Sequence, residues 1–492
     1  MGSLETPQTF PILTTIPKND EDLAALAPFT VSIENGFLPL SPPPTTLPSN
    51  FSTLTSLLER MPIRTISGEP GLLAKFTLGE AVLIELPDLT DEIDKAKSDL
   101  RVIGALYRDY CFLASAYLLE PCHERFVKGE GYGLGRQRLP RVLARPLARV
   151  AEMCAPFPSR VVLAIHFSSR VFFFPPFNAD NVIRSGFKPF MEYAGSYALF
   201  NYRMADPSLG MAYSNLRLIR AFEHGLDPTS SEAGFVLVHI DMVKHSGQLV
   251  KGAVNSLKAC STGDREAFND GLEGVVKALV EVNAVMDGMW KKSKPNDYTS
   301  FRTFIFGITK QSMFPHGVVY EGVSEEAMSF RGESGANDSM IPLCDNLLEI
   351  SMPDTPLTEI LNDFRSYRPG NHRQFLEWVK DRAQDVGIRK YAMGDRASAV
   401  LYLHALNQVR DFRWRHWCFT REYILKKTSH PTATGGSPII LWLPNQLHAV
   451  YAQMTEVATA FDGLSECKDL LEVAATQRET LKKEVRKFLE EK

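Results

Sequence analysis

A mostly α-helical protein of two domains is what this sequence predicts, and three observations carry the prediction. Apolar residues recur at three- and four-residue spacing over long stretches, the signature of helices with one buried face. Nowhere do short β-runs alternate with helices, as a doubly wound sheet or a barrel requires. The chain has 492 residues, which at roughly 150 residues per domain is too long for one compact core. A small N-terminal domain over 1–215 and a larger helical domain over 216–492 is the expected division. The join lies near Asp206-Pro207 and Asp227-Pro228.

Composition narrows the function classes. Hydrophobic residues make up 44% and charged residues 23%, so the chain can bury a core and is not broadly disordered. A net charge of −4, from 54 basic and 58 acidic side chains, leaves no basic footprint for nucleic acid or an acidic membrane surface. Seven scattered cysteines without CxxC pairs read as reduced thiols in a cytoplasmic protein. Every apolar run is broken before it could span a bilayer. Met1 to Thr6 fits a myristoylation pattern formally, but no polybasic stretch follows it, so no membrane anchor is expected.

Along the chain, residues 1–50 are rich in Pro, Thr and Ser, and the prolines from Ser41 to Pro48 impose extended backbone on a surface. Helical spacing begins at 50–61 and returns at 92–120, where Ile93, Ala96, Leu100, Ile103, Leu106 and Tyr107 recur. Gly129 to Gly135 is a glycine-rich loop without phosphate-loop spacing. Residues 158–190 read as an insertion containing the aromatic run Val171 to Phe177. Helical stripes follow at 193–202, 211–222, 235–260, 266–289, 298–308, 339–350, 357–366, 371–384, 396–426, 440–461 and 466–489. The last is heavily charged, which suits a solvated face or contact with a partner or second copy through 466–492.

Standard hydrolase and metal motifs fail. Gly332 to Ala336 lacks the final glycine of GxSxG, HExxH is absent, and the histidines do not pair at zinc-ligand spacing. What remains is a set of single polar residues on apolar faces. His372 follows Pro369-Gly370, with Asn371 placed to N-cap a helix and Gln374 to complete a capping box. It shares a face with Phe375, Leu376 and Val379. A helix N-terminus keeps an imidazole neutral, and a neutral imidazole on an apolar face suits a haem iron; a core or capping histidine fits the same pattern. His239 shares a stripe with Phe235, Val238 and Met242, and either a substrate contact or a satisfied core histidine accounts for it. Arg302 sits in an aromatic stretch from Tyr298 to Gly307, where its charge needs an anion, a substrate carboxylate or Asp297. Thr434-Gly435-Gly436 permits close backbone approach to a ligand, or is a plain loop.

Taken together and in order, these segments resemble the indoleamine 2,3-dioxygenase family of haem enzymes, particularly its fungal-type members. The resemblance spans about 90–460. It is carried by Leu139 to Pro146, Asn201 to Pro207, Gly234 to Val238, Arg302 with Gly307, Gly317 to Gly322 (Val-Tyr-Glu-Gly), Phe330 to Gly335, Tyr367 to Arg373 and Thr434 to Pro438. It implies a two-domain helical fold holding haem b, with His372 as the iron ligand and Arg368 and Gly332 beside the cofactor. Arg302 would take a substrate carboxylate, and Thr434 would lie at the amino-acid head. Phe235 would flank the indole, with Ser334 and Gly335 lining the distal side. The implied reaction inserts both atoms of O2 into the indole C2–C3 bond of L-tryptophan or a related indole, giving an N-formylkynurenine-type product. Four positions depart from the pattern. His239 stands where the family usually has Ser, although the related tryptophan 2,3-dioxygenases use a distal histidine. Asp297 replaces a pocket aromatic and could hold Arg302, while Tyr197 and Val236 alter the pocket wall. These departures leave two rivals, a haem monooxygenase or peroxygenase of another aromatic substrate, and a non-catalytic haem-binding protein.

Overall fold

The structure is a computed structural model that describes residues 9–154, 187–225, 227–352, 356–427 and 432–491. The myristoylation pattern and most of the 158–190 insertion lie outside these residues. About 61% of the chain is helical, which bears out the mostly-α expectation.

The central element is α1 (Leu100–Val127), buried almost continuously from Ile103 to His123. The Asp99 carboxylate caps it by accepting from the backbone N–H groups of Arg101 and Val102. That cap, with a short helix Thr90–Lys95 before it, breaks the single stripe expected over 92–120. Pro121 inside α1 cannot bond the Tyr117 carbonyl one turn back; the Arg136 guanidinium donates to that carbonyl instead. Arg136 also pairs with Glu120 at 2.6 Å, and Glu120 accepts from Leu78 N and Gly79 N. The glycine-rich loop therefore leaves a helix and returns under a firm clamp, into β1 (Arg138–Leu139) and α2 (Arg141–Met153).

Two expected helices are absent. Residues 193–197 form one wide turn held by Glu192, and the chain then runs into an antiparallel pair, β2 (Tyr202–Met204) and β3 (Leu216–Leu218). Asn201 explains the loss: its amide donates to the Tyr197 and Arg220 carbonyls and its oxygen accepts from Arg220 N. Such bonds compete with helical ones. The stripe at 235–260 divides into α3 (Ser231–Val243) and α4 (Ser246–Thr262). The break falls where the N-terminal strap docks. Phe37 N donates to Ser246 Oγ at 2.9 Å, and a Cβ on Gly247 would lie 2.5 Å from the Glu34 carbonyl.

The later long helices follow the apolar spacing closely: α5 (Arg265–Asp287), α7 (Met340–Leu347), α8 (Pro356–Arg365), α9 (Gly370–Val386), α10 (Arg396–Phe419), α11 (Ile439–Ala460) and α12 (Lys468–Glu490). The stripe expected over 298–308 does not: it gives only the five-residue α6 (Tyr298–Arg302) and a tighter turn over Thr303–Ile305. Between α6 and α7, β4 (Val318–Tyr320) runs parallel to β1 and antiparallel to β5 (Ala327–Met328). One continuous apolar cluster links Phe29 to Phe488. In α12, Ala474, Leu481 and Phe488 are buried at seven-residue spacing, and Glu484 accepts from Trp417 Nε1 of α10 at 2.6 Å. One face of this helix is thus docked within the chain, and the charged remainder is its solvated side. Among the described residues no helix is long and apolar enough to cross a membrane.

Candidate functional site

His372 is the third residue of α9, 1% exposed. The helix begins at Gly370 after Pro369 and has no side-chain cap. Asn371 does not cap it, contrary to its sequence position, because its oxygen accepts from Val31 N of the N-terminal strap at 2.8 Å. The rings of Phe37 and Phe29 meet the His372 imidazole edge-on at 4.9 and 5.7 Å. Ser339 Oγ lies 3.2 Å from Nδ1, and Nε2 is buried without a partner. Burial, and secondly the Arg368 charge, lower its pKa to about 3, so the ring is neutral. An unmet buried acceptor costs about 1–3 kcal/mol, a cost that an iron at Nε2 removes. A hydroxyl orienting the other ring nitrogen is the arrangement that metal-bound imidazoles use. The residues present therefore fit a haem iron. Among the described residues no cluster of three metal-ligating side chains occurs, and a porphyrin asks for none because it supplies the equatorial ligands itself.

Three loops converge beside this helix. Gly332 and Gly307 cross so closely that a Cβ on Gly332 would lie 2.2 Å from Gly307 N; only paired glycines allow that approach. Gly307 N donates to the Thr434 carbonyl at 3.0 Å, and the Thr434 hydroxyl donates to the Glu333 carbonyl at 2.7 Å. Arg331 binds the Gly435 carbonyl at 2.8 Å and Asp363 at 2.6 Å. Arg368 donates to the carbonyls of Asp338 at 3.2 Å and Ala336 at 2.9 Å, fastening the turn after Ser334-Gly335 to the start of α9. The segments singled out in the sequence are thus one tied unit, although nothing in their spacing shows it.

Helix α3 presents Phe235 and His239 one turn apart. His239 Nδ1 lies 2.8 Å from the Phe235 carbonyl. A carbonyl can only accept, so Nδ1 carries the hydrogen and Nε2 presents a lone pair. Burial holds the ring below its ordinary pKa. A Cβ on Gly335 would lie 3.8 Å from His239 Nε2, so the lone pair is beside the Ser334-Gly335 turn. Phe235 packs on Tyr298 and Phe301, with ring centroids 5.4 and 5.9 Å away.

Arg302 is fully buried. Its Nη2 donates to the Thr432 carbonyl at 3.1 Å, its guanidinium lies 4.6 Å from the Phe306 ring, and Nε and Nη1 have no partner. Asp297, the side chain that could have held it, instead accepts from Ser231 Oγ at 2.7 Å. The Tyr298 and Tyr132 hydroxyls lie within reach of Arg302, but neither carries a charge, and a buried cation outside any ion pair is a site for an anion. Tyr197 lies in a stack with Phe112 and Phe222, its hydroxyl 3.4 Å from Glu232. The tyrosine whose ring meets His239, at 5.7 Å, is Tyr193.

Sequence reading passed over Tyr193, Glu333, Ser339, Phe29, Phe37 and His416. His416 of α10 has its pKa lowered to about 4, by burial first and then by His239 and Arg413, so it lies within electrostatic reach of His239. Of these only Glu333 carried a signal, an acid within the flagged Phe330–Gly335 segment; the rest are brought in by long-range packing.

Comparison with known proteins agrees with this geometry. A sequence model of the family described as Indoleamine 2,3-dioxygenase matches residues 184–465, more than half of the chain. Indoleamine 2,3-dioxygenase 1 of Mus musculus is 24% identical over 256 residues, covering 51% of this chain and 61% of the mouse protein. Indoleamine 2,3-dioxygenase nanC of Aspergillus nanangensis is 25% identical over 222 residues, 43% of this chain and 53% of the relative. The 6-hydroxytryptophan 2,3-dioxygenase fscD of Fusarium equiseti is 24% identical over 153 residues, 30% and 37% respectively. The matched part thus spans about half to three fifths of the mouse and Aspergillus relatives. A helical fold, a buried imidazole with an unmet nitrogen and a family match that covers all the converging loops lead to one conclusion: the chain belongs to the indoleamine 2,3-dioxygenase family.

Proposed function

We propose that this protein is a cytoplasmic haem-dependent dioxygenase of L-tryptophan or a related indole, yielding an N-formylkynurenine-type product. The observation that carries the reading is the buried, unpartnered Nε2 of His372. His372 would hold the iron, with Ser339 fixing the ring and Arg368 and Gly332 holding the adjoining loop. When bound, haem supplies the activation of O2 whose two atoms enter the indole C2–C3 bond. The chain's own residues bind and orient. The unmet donors of Arg302 take the substrate carboxylate. Phe235 flanks the indole, with Tyr298 and Phe301 behind it. His239 Nε2 accepts the indole N–H and so holds the ring in one orientation. Thr434, through its bond to Glu333, fixes the loop at the amino-acid head.

A hydroxylating haem enzyme is the rival reading, and His239 as a polar distal group favours it; Asp297 lends it nothing, being engaged by Ser231. Hemin-loaded protein, reduced and given tryptophan with labelled O2, decides between them. Two labelled oxygens in a formylkynurenine product support the dioxygenase, and one in a hydroxylated product the rival. If no indole reacts and the Soret band persists, the protein is a non-catalytic haem binder. A Soret band indifferent to His372→Ala overturns the assignment of the ligand.

A further inference from the structure

Five buried carboxyls act on Tyr193, Tyr197 and Tyr298, and four of them have structural work. Asp338 accepts from Met340 N and Ile341 N, and Glu223 from the Ser300 hydroxyl. Glu192 accepts from Ala194 N and Gly195 N and so closes the 193–197 turn. Glu232 accepts from Phe222 N and Glu223 N and from the Tyr197 hydroxyl. Glu333, 2% exposed, has no hydrogen-bond partner for its carboxyl among the described residues; the one bond it receives is on its backbone carbonyl, from Thr434. Leaving a carboxyl buried and unmet is costly, which is why burial alone pushes its pKa up to about 8. Such a group is retained for a ligand more readily than for stability.

Its direction is set by local backbone. Ser334 is extended, φ −155° and ψ 129°, so the side chains on either side of it leave the chain on the same face. On the far side stands Gly335, whose open face looks at His239 Nε2. Glu333 thus leaves the chain two residues before the point where Gly335 meets His239. The hydroxyls of Tyr193, Tyr197 and Tyr298 all lie within electrostatic reach of its carboxyl, and the Tyr193 hydroxyl is itself buried without a partner. Arg302 reaches the Tyr298 hydroxyl as well, but it is absent from the charges that act on Glu333. Tyr298 is thus within reach of both Arg302 and Glu333.

We propose that Glu333 and the Tyr193 hydroxyl form a polar end wall of the substrate pocket that selects indoles whose benzene ring carries a hydrogen-bond donor, a hydroxyl group in the first instance. This rests on the dioxygenase reading and deepens it. A ligand held by its carboxylate at Arg302 and its ring N–H at His239 directs the far edge of its benzene ring toward that wall. Plain tryptophan leaves both groups unmet, and a site built around a hydroxyl discriminates against the analogue that lacks one.

The test uses hemin-loaded full-length protein and measures dissociation constants by Soret shift and by calorimetry. The ligands are L-tryptophan, tryptophans hydroxylated at each benzene-ring position, and the matching methyl-tryptophans as controls for size. The expected result is at least one hydroxytryptophan binding about tenfold or more tighter than both tryptophan and its methyl counterpart. Glu333→Gly and the near-isosteric Glu333→Gln should each weaken that ligand about tenfold more than they weaken tryptophan. Tryptophan binding with no hydroxyl isomer preferred, or a preference that survives both substitutions, overturns the end wall and leaves the dioxygenase reading standing. Failure of every indole to bind a protein with a normal Soret band overturns both.

Discussion

The backbone N–H of Val31 donates to the side-chain oxygen of Asn371 at 2.8 Å, across 340 residues of chain. The residue next to the proposed iron ligand is thereby spent on holding the N-terminal strap, and Phe29 and Phe37 of that strap are what the imidazole packs against. A segment whose prolines suggested extended backbone on a surface is a wall of the site. Removing the acceptor with Asn371→Ala leaves a half-buried N–H unmet and should cost about 1–2 kcal/mol. Denaturant unfolding and the rate of hemin loss to apomyoglobin read this out together. A faster hemin loss than the parent's is expected, and an unchanged rate would show that the strap does not brace the site.

Arg302 offers two unmet donors at a buried position. Arg302→Lys keeps the charge but loses the planar fork, so kcat/KM for tryptophan should fall about tenfold to a hundredfold, the worth of charge-assisted hydrogen bonds. Tryptamine, which lacks the carboxylate, should lose far less. Equal losses for the two amines would remove Arg302 from carboxylate binding.

His239 carries its hydrogen on Nδ1 and a lone pair on Nε2. His239→Ala should therefore lower kcat/KM for tryptophan by about three- to tenfold and leave 1-methyltryptophan, which has no N–H to give, nearly indifferent to the change. A matching loss for both substrates points away from the indole nitrogen.

Stability should fall on both sides of mildly acidic pH. Glu192, Glu232 and Glu333 are raised by burial to about 8 from 4.5. Their contribution is complete below about pH 4.5 and is lost as pH rises through 8, because the unfolded chain gives up those protons first. His123 and His416 are lowered by burial to about 4 from 6.5. Their contribution is complete above about pH 6.5 and is lost as pH falls through 4, because the unfolded chain gains those protons first. Thermal melts of the apoprotein should show the rising-pH loss between 6.5 and 8, and Glu333→Gln should reduce it. A melting temperature still climbing over that interval would contradict the sign.

How much of this was legible follows from the range of the forces involved. The long helices were readable because apolar spacing is a local property: α5, α10, α11 and α12 begin within two residues of where the pattern begins. His372 stood out through Pro369-Gly370 and an apolar face, and Arg302 through a charge set among aromatics. The wide turn at 193–197, the β2–β3 pair and the missing cap at Asn371 were not readable. Each is decided by a side chain whose partner lies elsewhere: Asn201 with Arg220, Glu192 with the turn it closes, Asn371 with Val31.

By itself, then, the sequence determined the helical class, the family and the few residues able to hold an iron or a carboxylate, since these depend on residue type and short spacing. The tertiary structure alone decided which polar groups are satisfied. It gave Asp297 to Ser231 and left Nε and Nη1 of Arg302 without a hydrogen bond; it gave Glu192 and Glu232 structural partners and left the Glu333 carboxyl with none among the described residues. Hydrogen-bond satisfaction depends on where distant segments meet, and no periodicity along a chain encodes that.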